Sequence, residues 1–138
     1  MPYTPFDLSG KAALVTGGNA GIGLGMASAL AQAGADVCIW GTNADKNEAA
    51  REALARHGTR VVARVCDVGD EAAVDVAFAA TLAALGRVDA CFANAGIGGA
   101  APFVDMTSEE WHRVLRVNLD GVFFTFRAAA RHMVERGG

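Results

Sequence analysis

Short, almost uniformly apolar runs alternate along the chain with longer stretches whose apolar residues recur every three to four positions. AALVT at 12–16 has the length and even apolarity of a strand covered on both faces. DVCIW (36–40), RVVARVCDV (60–68) and VDACFANAG (88–96) repeat that character, the last running into a loop. Between them lie helical periods: Ile22 to Ala33 ending at Gly34, Ala44 to His57 closed by Gly58, and Glu71 to Leu85 with Val74, Phe78, Leu82 and Leu85 on one face. Residues 96–106 are broken by glycine and proline and show no period. Thr107-Ser-Glu-Glu110 then carries a capping-box signature, with Thr107 placed to accept from the backbone of Glu110, and opens a long helix from Ser108 to Glu135. Strands alternating with helices in this way predict an α/β fold, a doubly wound parallel sheet with helices on both faces.

Composition narrows the picture. A chain of 138 residues that is 52% hydrophobic and 20% charged reads as one globular domain, 1–138, with no linker. Its net charge of −3 argues against a nucleic-acid partner. No run approaches the ~18 apolar residues of a membrane span, and MPYTPFDLSGK lacks a signal-peptide core, so the expected location is cytoplasmic. Cys38, Cys66 and Cys91 are scattered through apolar runs without CxxC spacing, which favours reduced core thiols over a metal site. His57, His112 and His132 form no cluster and are assigned no chemistry.

The chemistry concentrates in TGGNAGIG (16–23), four glycines in eight residues between the first strand and the first helix. There the free N–H groups and positive dipole end of a helix suit a pyrophosphate. Gly17 would allow the tight turn, and Gly21 and Gly23 the close approach of phosphates and of the neighbouring strand. A glycine-rich turn without a ligand is the alternative reading. The spacing is GxxxGxG, and no Gly-Lys-Ser/Thr follows, which excludes a Walker A loop.

FDLSGKAALVTGGNAGIG resembles the opening of the short-chain dehydrogenase/reductase family, with its TGxxxGxG cofactor motif. CDV (66–68), NAG (94–96) and VN (117–118) match that family in order and spacing, so the likeness runs from about Phe6 to the end. The resemblance implies a Rossmann-like sheet of order 3-2-1-4, incomplete on its C-terminal side, and an NAD(P) cofactor. It implies that Gly17, Asn19, Gly21, Ile22 and Gly23 cradle the pyrophosphate and adjoining ribose. Asp67 would accept from the adenine amino group beside Val68, and Asn94, Ala95 and Gly96 would line the adenosine ribose and help fix the sheet. Read without the family, Asp67 equally caps the next helix, and Asn94 is a turn residue.

The end of the second strand meets the adenosine 2′ position, where an acid selects NAD and an arginine NADP. Here Gly41 stands in the acid's place and Thr42 in the basic residue's, while Ala20 leaves the glycine loop uncharged. Thr42 and Asn43 could bond either form and Lys46 could reach a phosphate, a slight lean to NADP.

The family's activity is hydride transfer between the nicotinamide and a small-molecule secondary alcohol or ketone. Its proton transfer uses a serine and a Tyr-x-x-x-Lys pair beyond the fourth strand, the lysine lowering a tyrosine pKa that is otherwise ~10. This chain has one tyrosine, Tyr3, and its lysines, Lys11 and Lys46, form no such pair. Of the family's catalytic set only Asn118 is present, as a proton-relay residue. By spacing it shares a helical face with Trp111, Leu115, Val122 and Phe126, so a structural amide, bonded locally or kinking the helix, is the other reading. The chain therefore reads as the cofactor-binding half of an oxidoreductase similar to sugar, sugar-acid or 3-oxoacyl thioester enzymes. The alternative is an incompetent nucleotide-binding or assembly module. An open fourth-strand edge and the bulky VFFTF segment (122–126) of the last helix lead to an expected homo-oligomer.

Overall fold

A computed structural model describes residues 6–137; Tyr3 lies outside the described residues. Four parallel strands, β1 (Ala12–Thr16), β2 (Asp36–Gly41), β3 (Val61–Val65) and β4 (Ala90–Phe92), form one sheet of order β3-β2-β1-β4. Helices α1 (Gly21–Gln32), α2 (Ala44–Ala55) and α3 (Glu71–Leu85) connect them. After β4 the chain makes one 3-10 turn (Phe103–Asp105). It ends in a helical rod of α4 (Ser108–Leu115), a π-helical turn (Arg116–Asp120) and α5 (Gly121–Glu135).

Alternation along the strands divides the core in two. Leu14, Cys38 and Trp40 point to the side of Val74, Phe78 and Ala129, whereas Val15, Val37 and Ile39 point to that of Ala27, Ala50 and Leu54. All five residues of β1 are buried, as the uniform apolarity of AALVT requires of a central strand with helices above and below. The indole of Trp40, wholly buried, donates to Thr81 Oγ1 at 3.1 Å.

Two strands are shorter than the apolar runs predict. The third ends at Val65, because Cys66 N makes a last bond to Gly41 O (3.2 Å) and Asp67 then turns the chain by accepting from Gly69 N (2.9 Å). The fourth ends at Phe92, because β1 leaves the sheet at Thr16 and side chains take over the pairing: Ala95 N donates to Thr16 Oγ1 (3.0 Å), and Asn94 Nδ2 to Thr16 O (3.1 Å).

Thr107 caps α4 as predicted, its hydroxyl accepting from Glu110 N at 3.2 Å, and the Glu110 carboxylate is taken up by Arg113. The rod is continuous over the predicted span, but its buried stripe is Val117, Gly121, Thr125 and Ala129. Small residues there let it pack closely on the sheet side, and the bulky Trp111, Phe123 and Phe126 are left about half exposed. The apolar stripe of Trp111 and Phe126 on which Asn118 was read is therefore not the buried one.

Asp89 ties the amino ends of β1 and β4 together. Its carboxylate accepts from Ala12 N at 2.8 Å and pairs with Arg87, and the Arg87 bond holds its pKa down at about 2. Because the folded value lies below the unfolded one, the stabilisation is complete above about pH 5 and is lost as pH falls toward 2. Asp89→Asn should therefore cost about 2 kcal/mol at pH 7. In urea melts the gap from wild type should close between pH 5 and pH 2; a gap independent of pH would contradict the assignment.

Candidate functional site

Beyond the carboxyl ends of the strands lies a cleft of about 380 Å³. It opens where the chain reverses direction across the sheet, β2 to one side of β1 and β4 to the other, the place at which open α/β sheets take ligands. Of the predicted set, Gly17, Asn19, Thr42, Asp67, Val68, Ala95 and Gly96 line it directly. Gly21, Ile22 and Gly23 begin α1 at the end of the glycine loop, and Asn94 and Asn118 bond to residues of its wall.

The glycine loop hangs from β2, with Gly17 N donating to Trp40 O at 2.8 Å and Gly18 N at 3.3 Å. Its glycines divide into two kinds. Gly17 and Gly21 have φ of +64° and +54°, a left-handed backbone that other residues adopt at a cost. Gly23 serves packing: a Cβ there would strike the Gly17 carbonyl oxygen and sit 2.6 Å from Asn94 Nδ2. A Cβ on Gly21, by contrast, would meet no atom within 4 Å. The shared role read for Gly21 and Gly23 thus separates, Gly21 facing open space and Gly23 locking the loop to the strand ends.

The first turn of α1 carries no acid, and its N-cap, Ala20, offers no side-chain acceptor. The N-termini of α2, α3 and α4 are capped by Asn43, Asp70 and Thr107. The leading N–H groups of α1 are thus left to whatever lies beside the open face of Gly21. Ile22 is 75% exposed at the same end.

Three asparagines hold this arrangement. Asn94 Nδ2 donates to Thr16 O at 3.1 Å and Gly17 O at 3.4 Å, so its side chain is a brace between β4 and the glycine loop and more than a turn residue. Asn19 Nδ2 donates to Asn47 Oδ1 at 2.8 Å, and Asn47 Nδ2 donates to Gly41 O (2.9 Å) and Arg64 O (3.1 Å). Asn47, only 3% exposed, was missed by sequence reasoning. Its signal is a polar residue in step with Ala50 and Leu54 on the buried face of α2. The same bond explains Gly41, where a Cβ would run into both amides.

Asp67 does not cap α3; Asp70 does, accepting from Ala73 N at 3.1 Å. Asp67 instead accepts from Gly69 N through Oδ1 and from Arg116 Nη1 through Oδ2, at 2.9 and 3.0 Å. Arg113 and Arg116, neither singled out by the sequence, both line the cleft, and Arg113 Nη2 donates to Gly98 O at 3.0 Å. In isolation two arginines three apart on an amphipathic helix read as a solvated face.

Asn118 lies in the π-helical turn and is exposed, not buried on an apolar stripe. Its amide bonds both ends of one residue across the cleft wall, Oδ1 accepting from Ile97 N and Nδ2 donating to Ile97 O, each at 2.8 Å. The amide is bonded to backbone, but to a residue 21 positions away and not locally, and a π-helical turn places the side chain.

Burial holds all three thiols in their protonated form at neutral pH. Burial, aided by the charges of Asp67 and Asp70, pushes Cys66 up to about 11, and burial alone pushes Cys91 to about 12. Cys38, against Thr81, is also raised by burial. A cleft lined by the glycine loop and by a carboxylate held at both oxygens, with the uncapped start of α1 at the end of that loop, suits an extended ligand that carries an anionic group.

Comparison with known proteins agrees with the resemblance read from the sequence. The family model described as short chain dehydrogenase matches residues 11–138. Gluconate 5-dehydrogenase of Gluconobacter oxydans (strain 621H) is 39% identical over 132 residues, 96% of this chain and 52% of that protein. An NADP-dependent (R)-specific alcohol dehydrogenase of Lentilactobacillus kefiri is 43% identical over 131 residues, 94% of this chain and 51% of that protein. Among solved structures, NAD+-bound xylitol dehydrogenase superposes with a TM-score of 0.90 at 35% identity, covering 94% of this chain and 50% of that one. The chain spans about half the length of the curated relatives it matches.

Proposed function

Because the chain belongs to the short-chain dehydrogenase family, we propose that it supplies the cofactor-binding half of an NAD(P)-dependent oxidoreductase acting on a secondary alcohol or ketone. The observation that carries this reading is the uncapped start of α1 beside the open side of Gly21, on a loop braced by Asn94 and Asn19. Such a cradle fits a pyrophosphate: the N–H groups are already oriented, and their dipole favours a negative charge. Gly17, Asn19, Gly21, Ile22 and Gly23 would form or support that cradle. Asp67 and Val68 would meet the adenine, and Ala95 and Gly96 the ribose, with Asn94 behind them.

A bound nicotinamide supplies or accepts the hydride. The residues of this chain bind and orient the dinucleotide, and Asn118 holds the Ile97 backbone at the wall through both ends of its amide. No Tyr-x-x-x-Lys pair occurs within the 138 residues, so binding without turnover is expected of them alone. Reduction of a ketone by the 138-residue chain itself would contradict that division of labour.

A preference for NADP is part of the proposal. At the carboxyl end of β2 stand Gly41 and Thr42, neither acidic, with Asn43 capping α2 and Lys46 in its first turn. Relatives named for a cofactor fall on both sides, some with NADP and xylitol dehydrogenase with NAD+, so the support is local. Thr42→Asp would set a carboxylate against a 2′-phosphate and should raise the NADPH:NADH Kd ratio about tenfold or more. An unchanged ratio in paired titrations would show that Thr42 is not at the 2′ position.

The half-exposed Phe123 and Phe126 support the reading that the protein self-associates through α5.

A further inference from the structure

We propose that Arg116 is the positioning residue for Asp67, and that through it the cleft discriminates an adenine dinucleotide from its hypoxanthine counterpart. The inference deepens the dinucleotide reading above and rests on it.

Asp67 lines the cleft with its side chain 44% exposed, and its two oxygens are tied to different elements. Oδ1 is held within its own loop by Gly69 N at 2.9 Å, and Oδ2 is held from the π-helical turn by Arg116 Nη1 at 3.0 Å. Each oxygen keeps a further lone pair, so the group facing a ligand is a fixed pure acceptor. With the Arg116 bond removed, one tie would remain, and the carboxylate could turn toward water.

Gly69 independently indicates a seat built for this arginine. Its backbone is outside the left-handed region, so no turn conformation demands glycine there. A Cβ on Gly69 would instead run into the Arg116 guanidinium, with Cζ at 2.9 Å and Cγ at 3.1 Å. One turn further along the rod, a Cβ on Gly121 would lie 2.6 Å from Val68 Cγ2. Two glycines therefore bring the rod and the loop carrying Asp67 and Val68 into close contact, and the arginine lies across the first of them.

The chemistry of the ligand follows. Adenine presents an amino donor at its six position, which a fixed carboxylate accepts. Hypoxanthine presents a carbonyl oxygen at the same place, which the carboxylate repels. Arg116 also adds positive charge that attracts any dinucleotide, but that attraction acts equally on both bases. The ratio of their affinities isolates positioning from charge.

The experiment titrates NADH and nicotinamide hypoxanthine dinucleotide (reduced) into the 138-residue chain and its variants, with circular dichroism confirming that each is folded. Wild type should favour the adenine form by about tenfold, the scale of one charge-assisted hydrogen bond. Arg116→Gln should bring the ratio to within about twofold of unity, and Gly69→Ala should do the same by evicting the arginine. Arg116→Lys, which keeps one cationic donor, should retain part of the preference. In Asp67→Asn, adding Arg116→Gln should change nothing further, since both act through one contact. A preference that survives in folded Arg116→Gln, or its absence in a wild type that binds both dinucleotides, overturns the inference alone. Failure of wild type to bind either dinucleotide overturns the dinucleotide reading and the inference with it.

Discussion

Gly23→Ala should abolish tight dinucleotide binding and destabilise the chain together. The added methyl would overlap the Gly17 carbonyl oxygen and approach Asn94 Nδ2 to 2.6 Å. Neither neighbour can yield cheaply. The carbonyl belongs to a loop whose N–H groups are bonded to Trp40 O, and the amide braces Thr16 O and Gly17 O. Overpacking against backbone costs about 3 kcal/mol, which for a domain of this size lowers Tm by roughly 10 °C. Losing the alignment of two N–H groups on a phosphate costs another ~3 kcal/mol of binding, about a hundredfold in Kd. Thermal melts and NAD(P)H titrations of one preparation check both parts. A variant that melts like wild type would show that α1 does not pack on the loop as described.

Gly21→Asp should separate those effects, losing binding while keeping the fold. The position has φ +54°, which costs a non-glycine residue about 1–2 kcal/mol, least for Asp and Asn. Its Cβ would enter open space, and a carboxylate at the first turn of a helix regains ~0.3–1 kcal/mol from the dipole. Net stability should therefore stay within about 1 kcal/mol of wild type. Against a phosphate some 4 Å away, the same charge is repelled by about 4 kcal/mol at an effective dielectric of 20, roughly a thousandfold in affinity. Gly21→Ala, with the strain and without the charge, should keep most of the binding. Equal losses in the Ala and Asp variants would point to loop distortion and away from a phosphate beside Gly21.

The fold was largely legible because the central elements follow single rules. AALVT is buried on both faces and reads so, and Glu71–Leu85 was found with its bounds intact because Asp70 caps it and Gly86 ends it with φ +79°. The third and fourth strands were overdrawn for one reason: apolar sequence continues past the last backbone pair, where Asp67, Thr16 and Asn94 side chains take over the bonding. Sheet pairing depends on what the neighbouring strand does, which periodicity does not encode.

The site was legible in its motif residues and hidden in its supports. Seven of the predicted residues line one cleft, yet Asn47, which links three strand and loop segments, was passed over as one more polar helix residue. Arg116 meets Asp67 across 49 positions, a pairing that no local spacing announces. Asn118 does share a face with Trp111 and Phe126, but that face is the outer one, because the buried stripe is small: Gly121, Thr125, Ala129. Size alone suggested the reverse. Close helix packing favours small residues at the contact, so the smallest side chains marked the inner face.

The central claim is that the cleft at the start of α1 holds a nicotinamide dinucleotide. Titration of NADPH and NADH into the 138-residue chain tests it most directly, read as energy transfer from the tryptophans, one of which, Trp40, lies in the cleft wall. The account predicts saturable binding at one site per chain, lost in Gly21→Asp while the melt is retained. A chain that is folded by circular dichroism yet shows no saturable signal with either dinucleotide would contradict it.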